Sequence, residues 1–367
     1  MRRLRSAFLA FFLAGCGFRQ DQLQATLDQH DLGAAKRMHD EALDAPNGGP
    51  PPAEHWNTSL LLLDRGMIRA AQSDFTGASQ DLAAADKMVD GADIVRAKRM
   101  RSLKNPQGFL YMYQRGWSQA LNMPIGLKFY ERLLLNPFAA LSRLQASDAN
   151  GACVEGRRYG VIDEWTDSVA KGRAASVRRF GELVTAVACD AAGDDALACA
   201  SWSRASADSR DVALDARCSH KADVASNDLW VFVAYGRASH PYWRQEKSGK
   251  VVDIAGGPET MAATDLAVTV DGRGIAVREA LDIEAEARAD YAESKQAIEI
   301  TILGAKGRTG EWSPFSWTLL PAHVGIARAT VDEGSHDVRI QVRGQEVKRS
   351  VSVVRGRPGV AFVYVPW

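Results

Sequence analysis

The spacing of apolar residues divides the chain into a helical half and a strand-rich half. From about residue 20 to about residue 207, apolar residues recur at intervals of three and four with few β-branched runs, which is typical of amphipathic helices. After about residue 222, apolar and polar residues alternate instead. Val338, Ile340 and Val342, for example, alternate with charged and polar residues. This alternation predicts strands with one face on a core and one in water.

A short motif recurs four times in the helical half. In its fullest copy, Asp74 and Phe75 form a turn flanked by small residues at Gly66, Ala78 and Ala85, the spacing of a tetratricopeptide (TPR) repeat. Similar cores begin at Asp31, Asp148 and Asp194, at unequal separations that indicate degenerate repeats. Four helical hairpins are therefore predicted, with the proline-rich segment 46–52 breaking the chain between the first two.

The strand-rich half carries turn signals between its strands. Asp271-Gly272 separates two alternating segments and predicts a tight β-hairpin. The predicted fold class is α+β. A TPR-like α-solenoid spans residues 16–220, and a C-terminal antiparallel, β-sandwich-like domain spans residues 221–367, with a final sandwich-like unit at about 312–367.

The first sixteen residues have the features of a lipoprotein signal peptide. A basic start at Met1–Arg5 precedes an apolar run, which ends in Leu13-Ala14-Gly15-Cys16. An apolar run of this length is too short to span a bilayer, and small residues before a cleavage point suit a signal peptidase. Residues 1–15 are therefore the predicted signal peptide. Cys16 is the predicted lipid-attachment site, acylated by chains such as palmitate.

Composition narrows the classes of partner. The chain has 367 residues with 45 basic and 45 acidic side chains, so its net charge is zero. A neutral chain has no overall field to attract nucleic acid. Contact with a membrane is expected through the N-terminal lipid alone. Gly17 follows Cys16, which favours the outer membrane facing the periplasm, with the inner membrane and the cell surface as alternatives.

Four cysteines remain once Cys16 is acylated, and an oxidising compartment permits disulfides. Cys189 and Cys199 flank the turn of a predicted hairpin, so a Cys189–Cys199 bond is one expectation and a Cys199–Cys218 bond is another. The alternative to both is a set of buried thiols that act as small apolar residues.

Three segments resemble a family of bacterial lipoproteins with TPR-like helical repeats and a C-terminal β domain, a family of uncharacterised function. These segments run from Asp64-Arg-Gly66 to Ala85, from Phe129 to Arg158, and from Ser316-Trp317 to Val338. The resemblance implies the same fold and highlights five charges: Glu131, Arg132, Glu155, Arg157 and Arg158. These charges could form an ion-pair cluster between facing helices, or a binding cluster, since Arg binds carboxylates bidentately. Structural clamping is the favoured interpretation.

No motif in the chain indicates catalysis. No two histidines have the i, i+4 spacing of a helical zinc site, and the sequence has no GxSxG elbow, Walker loop or Rossmann fingerprint. We therefore expect no catalytic residue, no metal, no cofactor and no small-molecule substrate.

The sequence favours an acylated envelope lipoprotein that acts as a protein-binding scaffold or adaptor in cell-envelope assembly or maintenance. A concave surface of the helical repeats would bind an envelope protein partner. Two alternatives stay open. One is an envelope hydrolase or glycan-binding protein with a site in the helical half, and the other is a passive structural lipoprotein.

Replacing the predicted acylation site tests the anchor. We expect Cys16→Ser to leave an unprocessed precursor that takes up no lipid, because the thiol is the acyl acceptor. Metabolic labelling with a fatty acid, followed by electrophoresis, measures both effects. Wild-type labelling of the variant would contradict the lipoprotein interpretation.

Overall fold

The computed structural model describes residues 20–44, 54–103, 127–169, 174–206, 218, 227–246, 249–255, 266–290 and 317–367. Eight helices occupy the N-terminal part of these ranges: α1 (Gln20–Asp28), α2 (Leu32–Asp44), α3 (Glu54–Ala71), α4 (Phe75–Leu103), α5 (Phe129–Gln145), α6 (Ala149–Val169), α7 (Ala175–Ala192) and α8 (Asp195–Ser206). A ninth helical segment, α9 (283–290), lies among the strands. The signal peptide, Cys16 and the segment 46–52 lie outside the described residues.

Ten strands follow: β1 (Asp228–Tyr235), β2 (His240–Glu246), β3 (Gly249–Ala255), β4 (Leu266–Val270), β5 (Arg273–Ile275), β6 (Val277–Asp282), β7 (His323–Thr330), β8 (Gly334–Val342), β9 (Gln345–Val353) and β10 (Gly359–Val365). Helices thus dominate the N-terminal part and strands the C-terminal part. The predicted α+β class is confirmed.

The same turn joins the two helices of each pair in four places. A residue with positive φ ends the first helix, as in the left-handed caps of many helices; these residues are His30, Ser73, Ser147 and Gly193. An aspartate follows, and its Oδ1 accepts the amide N–H three residues ahead at 2.8–3.1 Å, which caps the second helix. The four aspartates are Asp31, Asp74, Asp148 and Asp194. The predicted motif therefore marks four equivalent turns.

The strands form two four-stranded sheets and one two-stranded hairpin. The first sheet has the order β10-β1-β7-β6, and the second has the order β5-β4-β8-β9. The predicted Asp271-Gly272 turn joins β4 to β5, with φ of 49° and 78° at its two residues. Positive φ at both central positions is the signature of a type I′ hairpin turn.

The expectation of a purely antiparallel domain is wrong, because β1 and β10 are parallel neighbours. Alternation in a sequence reports which side chains share a face, but it carries no information about the direction of a neighbouring strand. The strands of the predicted final unit at about 312–367 also share both sheets with earlier strands. β7 and β10 flank β1, and β8 pairs with β4.

The first sheet is buried on both faces. Trp230 and Phe232 of β1 pack with the helices, whereas Val231 and Val233 pack against the second sheet. β10 repeats this arrangement, with Phe362 in the helix-side core and Val363 in the sheet-side core. The molecule is therefore layered, with helices on one face of the first sheet and the second sheet on the other.

Truncating the aromatic side chain of β10 tests this layering. Phe362 is fully buried, and its ring lies at a tilt to the neighbouring rings of Phe75 and Phe138. We expect Phe362→Ala to lower the free energy of unfolding by about 3–5 kcal/mol, the usual loss for a buried Phe. Urea unfolding measures the change. Val354→Ala is the control because Val354 is 56% exposed; a similar loss in both variants would contradict the assignment of Phe362 to the core.

Candidate functional site

The cysteines form two disulfides within the described residues. Cys199 of α8 bonds to Cys218, which is one of the two pairings left open by the sequence. Cys189 of α7 bonds to Cys153 of α6, so the alternative Cys189–Cys199 bond does not form. Cys153 and Cys189 are buried on adjacent helices. The sequence did not predict this bond because the contact between α6 and α7 arises only from tertiary packing.

The five charges highlighted by the resemblance do not meet as one cluster. Two of them, Arg132 of α5 and Arg158 of α6, converge on α4. Arg132 Nη1 lies 2.9 Å from Asp86 Oδ1, and Arg158 binds both Asp86 and Asp90. The arginines are thus held by two aspartates that the sequence did not single out. Asp86 and Asp90 have i, i+4 spacing on a predicted helix, which places both carboxylates on one face, and this spacing could have identified them from the sequence.

Glu155 joins this network through an amide. Its Oε2 accepts a hydrogen bond from Asn136 Nδ2 at 3.1 Å, and its Oε1 accepts one from Arg143 Nε at 3.1 Å. Asn136 also contacts Arg132 and Asp86 at 3.4 Å each. The network therefore connects α4, α5 and α6. Its charged members Asp86, Arg132 and Glu155 are buried, a costly arrangement unless each of them is paired. This pattern is that of an interhelical clamp.

Arg157 lies apart from this network. It binds Asp194 in the turn between α7 and α8 at 2.7 Å, in an exposed position. The guanidinium of Arg157 and the amide of Leu197 hold the pKa of Asp194 below its usual value. Arg157 thus links neighbouring helix pairs at the surface, where ion pairs contribute little to stability.

Glu131 points away from the other four charges, towards the strand-rich half. Its Oε2 accepts the amide N–H of Lys128 at 2.8 Å, which caps α5. Its Oε1 accepts the amide N–H of Trp317 at 3.0 Å. Glu131 is 1% exposed. A residue expected in an interhelical ion pair therefore binds the backbone of a segment far along the chain.

Asp64 of α3 repeats this contact two residues further along the same segment. Its Oδ1 accepts the amide N–H of Leu319 at 2.8 Å, and Asp64 is fully buried. Thr318 and Leu319 form a turn, and the amides of Trp317 and Leu319 bind carboxylates of two different helices. We call residues 317–322 the docking segment.

Strand-side groups hold the docking segment from its other side. Tyr364 Oη donates to the carbonyl oxygen of Leu319, and the amide of Ala238 donates to the carbonyl oxygen of Leu320, both at 2.8 Å. The side chain of Trp317 is buried and lies edge-on to Phe138 of α5, with ring centroids 6.1 Å apart. The docking segment therefore joins the helix layer to the first sheet.

Burial shifts the proton affinity of Glu131. Removal from water raises the pKa of Glu131 to about 7, although hydrogen bonds from the amides of Lys128 and Trp317 and the charge of Lys128 act to lower it. The nearby carboxylate of Asp290 raises it further, while Asp290 itself pairs with Lys128 Nζ at 2.9 Å. The carboxyl group that anchors the docking segment thus titrates near neutral pH.

The chain's own strands occupy one face of the helix layer. α3 and α5 contact β10, α7 contacts β6, and α1 contacts β2. These contacts belong to the first helix of each pair. Two second helices also reach the first sheet, since Phe75 of α4 lies near Phe362 of β10 and Trp202 of α8 lies 5.4 Å from Trp230 of β1 between ring centroids. β10 and the docking segment therefore cover the strand-facing side of the helix layer.

Metal ligation and membrane crossing find no support in the part of the chain that the structure describes. Its residues contain no group of three or more His, Cys, Asp or Glu side chains arranged to hold a metal ion. None of the helices in those ranges combines the length and apolar character required to cross a membrane.

Comparison with known proteins gives no significant match, whether to protein-family models, to curated proteins or to solved structures.

The raised pKa of Glu131 predicts a pH-dependent stability. The folded state binds this proton more tightly than the unfolded state, so the stabilisation is fully present below about pH 4.5 and is lost as the pH rises through about 7. We expect the free energy of unfolding to fall across this interval by at most about 1.4 kcal/mol per pH unit.

Urea unfolding of the wild type and of Glu131→Gln over this pH range measures the effect. The substituted amide keeps the size and one acceptor of the glutamate side chain but cannot ionise. The variant should therefore show a flatter pH profile, whatever its absolute stability. Identical profiles in the two proteins would show that another group carries the pH dependence.

Proposed function

We propose that this protein is an acylated envelope lipoprotein whose TPR-like helix layer acts as a protein-binding scaffold in cell-envelope assembly or maintenance. The observation that carries the proposal is the fourfold repetition of one aspartate-capped turn between paired helices. Stacked helix pairs of this kind bury a shared core and present an extended surface, which suits recognition of another protein.

The small residues around each turn support a TPR-like α-solenoid. Gly66 of α3 faces Leu82 of α4 so closely that a Cβ atom would lie 3.0 Å from Leu82 Cγ. The fourth residue after each capping aspartate is a buried alanine: Ala35, Ala78, Ala152 and Ala198. Small residues at these places let the two helices of a pair approach each other, as the TPR pattern requires.

The strand-rich half fits a β-sandwich-like domain attached to the solenoid. Alternate residues of the two four-stranded sheets share one apolar core, which is how facing sheets pack. Because the other face of the first sheet packs on the helices, the sandwich and the solenoid would move as one body. The β domain would then stiffen the helix layer and complete its core.

The two disulfides support an oxidising compartment. Structural disulfides persist in secreted and periplasmic proteins and are rare in the cytosol. With Cys16 as the acylated residue, the protein would be held at the outer membrane and face the periplasm. Each acyl methylene that is buried in the membrane contributes about 0.8 kcal/mol of favourable free energy, so several acyl chains would hold the protein firmly at the membrane.

The partner surface is best sought on α6, because the strands already contact α1, α3, α5, α7 and α8. α6 exposes Val154 and Val161, which are 47% and 67% accessible and lie two turns apart on one face. Arg157 lies between them and is paired with Asp194. A partner helix with apolar residues at i and i+7 would match this face.

Site-specific crosslinking from α6 tests the scaffold proposal. We expect the full chain to capture an envelope protein in intact cells through a photoreactive residue at position 157. Val154→Asp with Val161→Asp should reduce the yield at least about tenfold, because each carboxylate would be desolvated in the contact. Mass spectrometry of the crosslinked species gives the readout.

Val354→Asp is the matched control, because Val354 is an exposed valine on the strand-rich half. It should leave the crosslinking yield unchanged. Equal yields from the α6 double variant and the wild type would refute the α6 surface. Failure of crosslinkers on α2, α4, α6 and α8 to capture any protein above an unrelated lipoprotein would refute the scaffold function.

A further inference from the structure

His336 of β8 lies between two turns at one end of the second sheet. Its Nδ1 is 2.7 Å from Asp271 Oδ2 in the β4–β5 turn, and its Nε2 is 2.8 Å from the carbonyl oxygen of Asp332 in the β7–β8 connection. His336 is 8% exposed. The polar contacts of its ring are therefore made mainly with the protein.

Both partners of the ring can only accept a hydrogen bond. A carbonyl oxygen and an ionised carboxylate have no hydrogen to donate. Hydrogen bonds from His336 and from the amide of Asp337 hold the pKa of Asp271 below its usual value, so Asp271 is ionised. The two contacts therefore require a hydrogen on each ring nitrogen, which is the charged imidazolium form of His336.

The charges around His336 favour this form. The hydrogen bonds to Asp271 and to the carbonyl of Asp332 raise the pKa of His336, as do the negative charges of the same two residues, whereas burial acts to lower it. Arg273 of β5 acts on Asp271 and lowers the pKa of that carboxyl group. Acidic groups thus face the ring from the β4–β5 turn and from the β7–β8 connection.

The strands packed against this face of β8 bring apolar residues. Val351 of β9 lies opposite His336, and Val338 and Ile340, on the same face of β8, belong to the apolar core that the two sheets share. Apolar side chains cannot replace a hydrogen bond that the ring loses. The contacts with Asp271 and Asp332 therefore depend directly on the protonation of the ring.

Loss of one proton breaks one of the two contacts. A neutral imidazole donates through one nitrogen and carries a lone pair on the other. A lone pair on Nδ1 would face the full negative charge of Asp271, so the remaining proton stays on Nδ1 and keeps the stronger, charge-assisted contact. Nε2 then faces the carbonyl oxygen of Asp332 without a hydrogen, and these two acceptors repel each other.

We propose that His336 is a pH switch that joins the β4–β5 turn to the β7–β8 connection. In the imidazolium form it donates to both Asp271 and Asp332. Deprotonation releases the β7–β8 connection and leaves the β4–β5 turn bound. Because the folded state binds this proton more tightly than the unfolded state, the stabilisation is fully present below about pH 6.5 and is lost as the pH rises through the raised pKa.

Nitrogen NMR of the full chain in detergent tests the protonation state of the ring. With isotope-labelled histidine, both ring nitrogens of His336 should carry a proton at pH 6.5, and the midpoint of the titration should lie above that pH. Comparison with the spectrum of His336→Gln assigns the signals. A midpoint at or below pH 6.5, or a single protonated nitrogen at that pH, would overturn the proposal.

Amide hydrogen exchange tests the release of the β7–β8 connection. The amide of Val331, next to Asp332, donates to the carbonyl oxygen of Asn227 at 2.9 Å. Its protection factor, which corrects for base-catalysed exchange, should fall about tenfold as the pH rises through the midpoint of His336, the effect of losing a hydrogen bond to a charged group. Constant protection of Val331 would refute the release.

Asp271→Asn is the matched variant, and the Asn-Gly sequence it creates is favoured in a type I′ turn. Its side-chain amide can donate to Nδ1 of His336, while its oxygen still accepts the amide of Asp337, so a neutral imidazole satisfies both contacts. The midpoint of His336 should shift downward, and the protection of Val331 should no longer follow it. An unchanged midpoint would refute the role of Asp271.

Asp332→Asn is the control because it leaves the carbonyl oxygen of residue 332 in place. This variant should keep the pH-dependent protection of Val331, with the midpoint lowered by the loss of one negative charge. Loss of the pH dependence would assign the switch to the side chain of Asp332 instead of its carbonyl group. The same measurement in the Glu131→Gln background excludes the other group that titrates near neutral pH; disappearance of the effect there would assign it to Glu131.

Discussion

Two buried carboxylates hold the strand-rich half of this protein against its helices. Asp64 and Glu131 lie on the first helices of neighbouring pairs and accept the amides of Leu319 and Trp317. Backbone amides in a core must be paired, since an unpaired amide costs as much as a lost hydrogen bond. The docking segment has no strand neighbour on the helix side in the described structure. Its burial there therefore depends on acceptors that the helices supply.

This constraint explains the position of the docking segment between two regular layers. Tyr364 and Ala238 satisfy carbonyl oxygens on the strand side, while the carboxylates satisfy amides on the helix side. With its backbone paired in both directions, the segment can bury Trp317 and Leu319 completely. The strand-facing surface of the helix layer is therefore an internal interface. Any partner must approach the helix layer elsewhere.

Local sequence signals predicted the parts of the fold that depend on neighbouring residues. The aspartate-capped turns could be found because the capping side chain and its amide are three residues apart, and the Asp271-Gly272 hairpin because two adjacent residues set its geometry. The bond from Cys153 to Cys189 and the parallel pair of β1 and β10 depend on packing between distant elements. Neither leaves a periodic trace in the sequence.

The candidate site shows the same division. The sequence singled out five charges, but it did not identify the groups that bind them. The five are Glu131, Arg132, Glu155, Arg157 and Arg158. Asp86 and Asp90 bind the arginines because α4 packs beside α5, which only the packed structure reveals. Glu131 was grouped with its sequence neighbour Arg132, although adjacent residues on a helix point in different directions.

The parallel pairing of β1 with β10 has a consequence for biogenesis. Leu229 lies opposite Gly359 in this pair, so the central sheet needs a strand from the very end of the described chain. During synthesis, the helices and β1 emerge before β10 is available as a neighbour. Until β10 has been made, both apolar faces of β1 remain without their final cover, a state in which chains tend to aggregate or bind chaperones. Loss of only the last dozen residues would therefore expose both cores of the molecule at once.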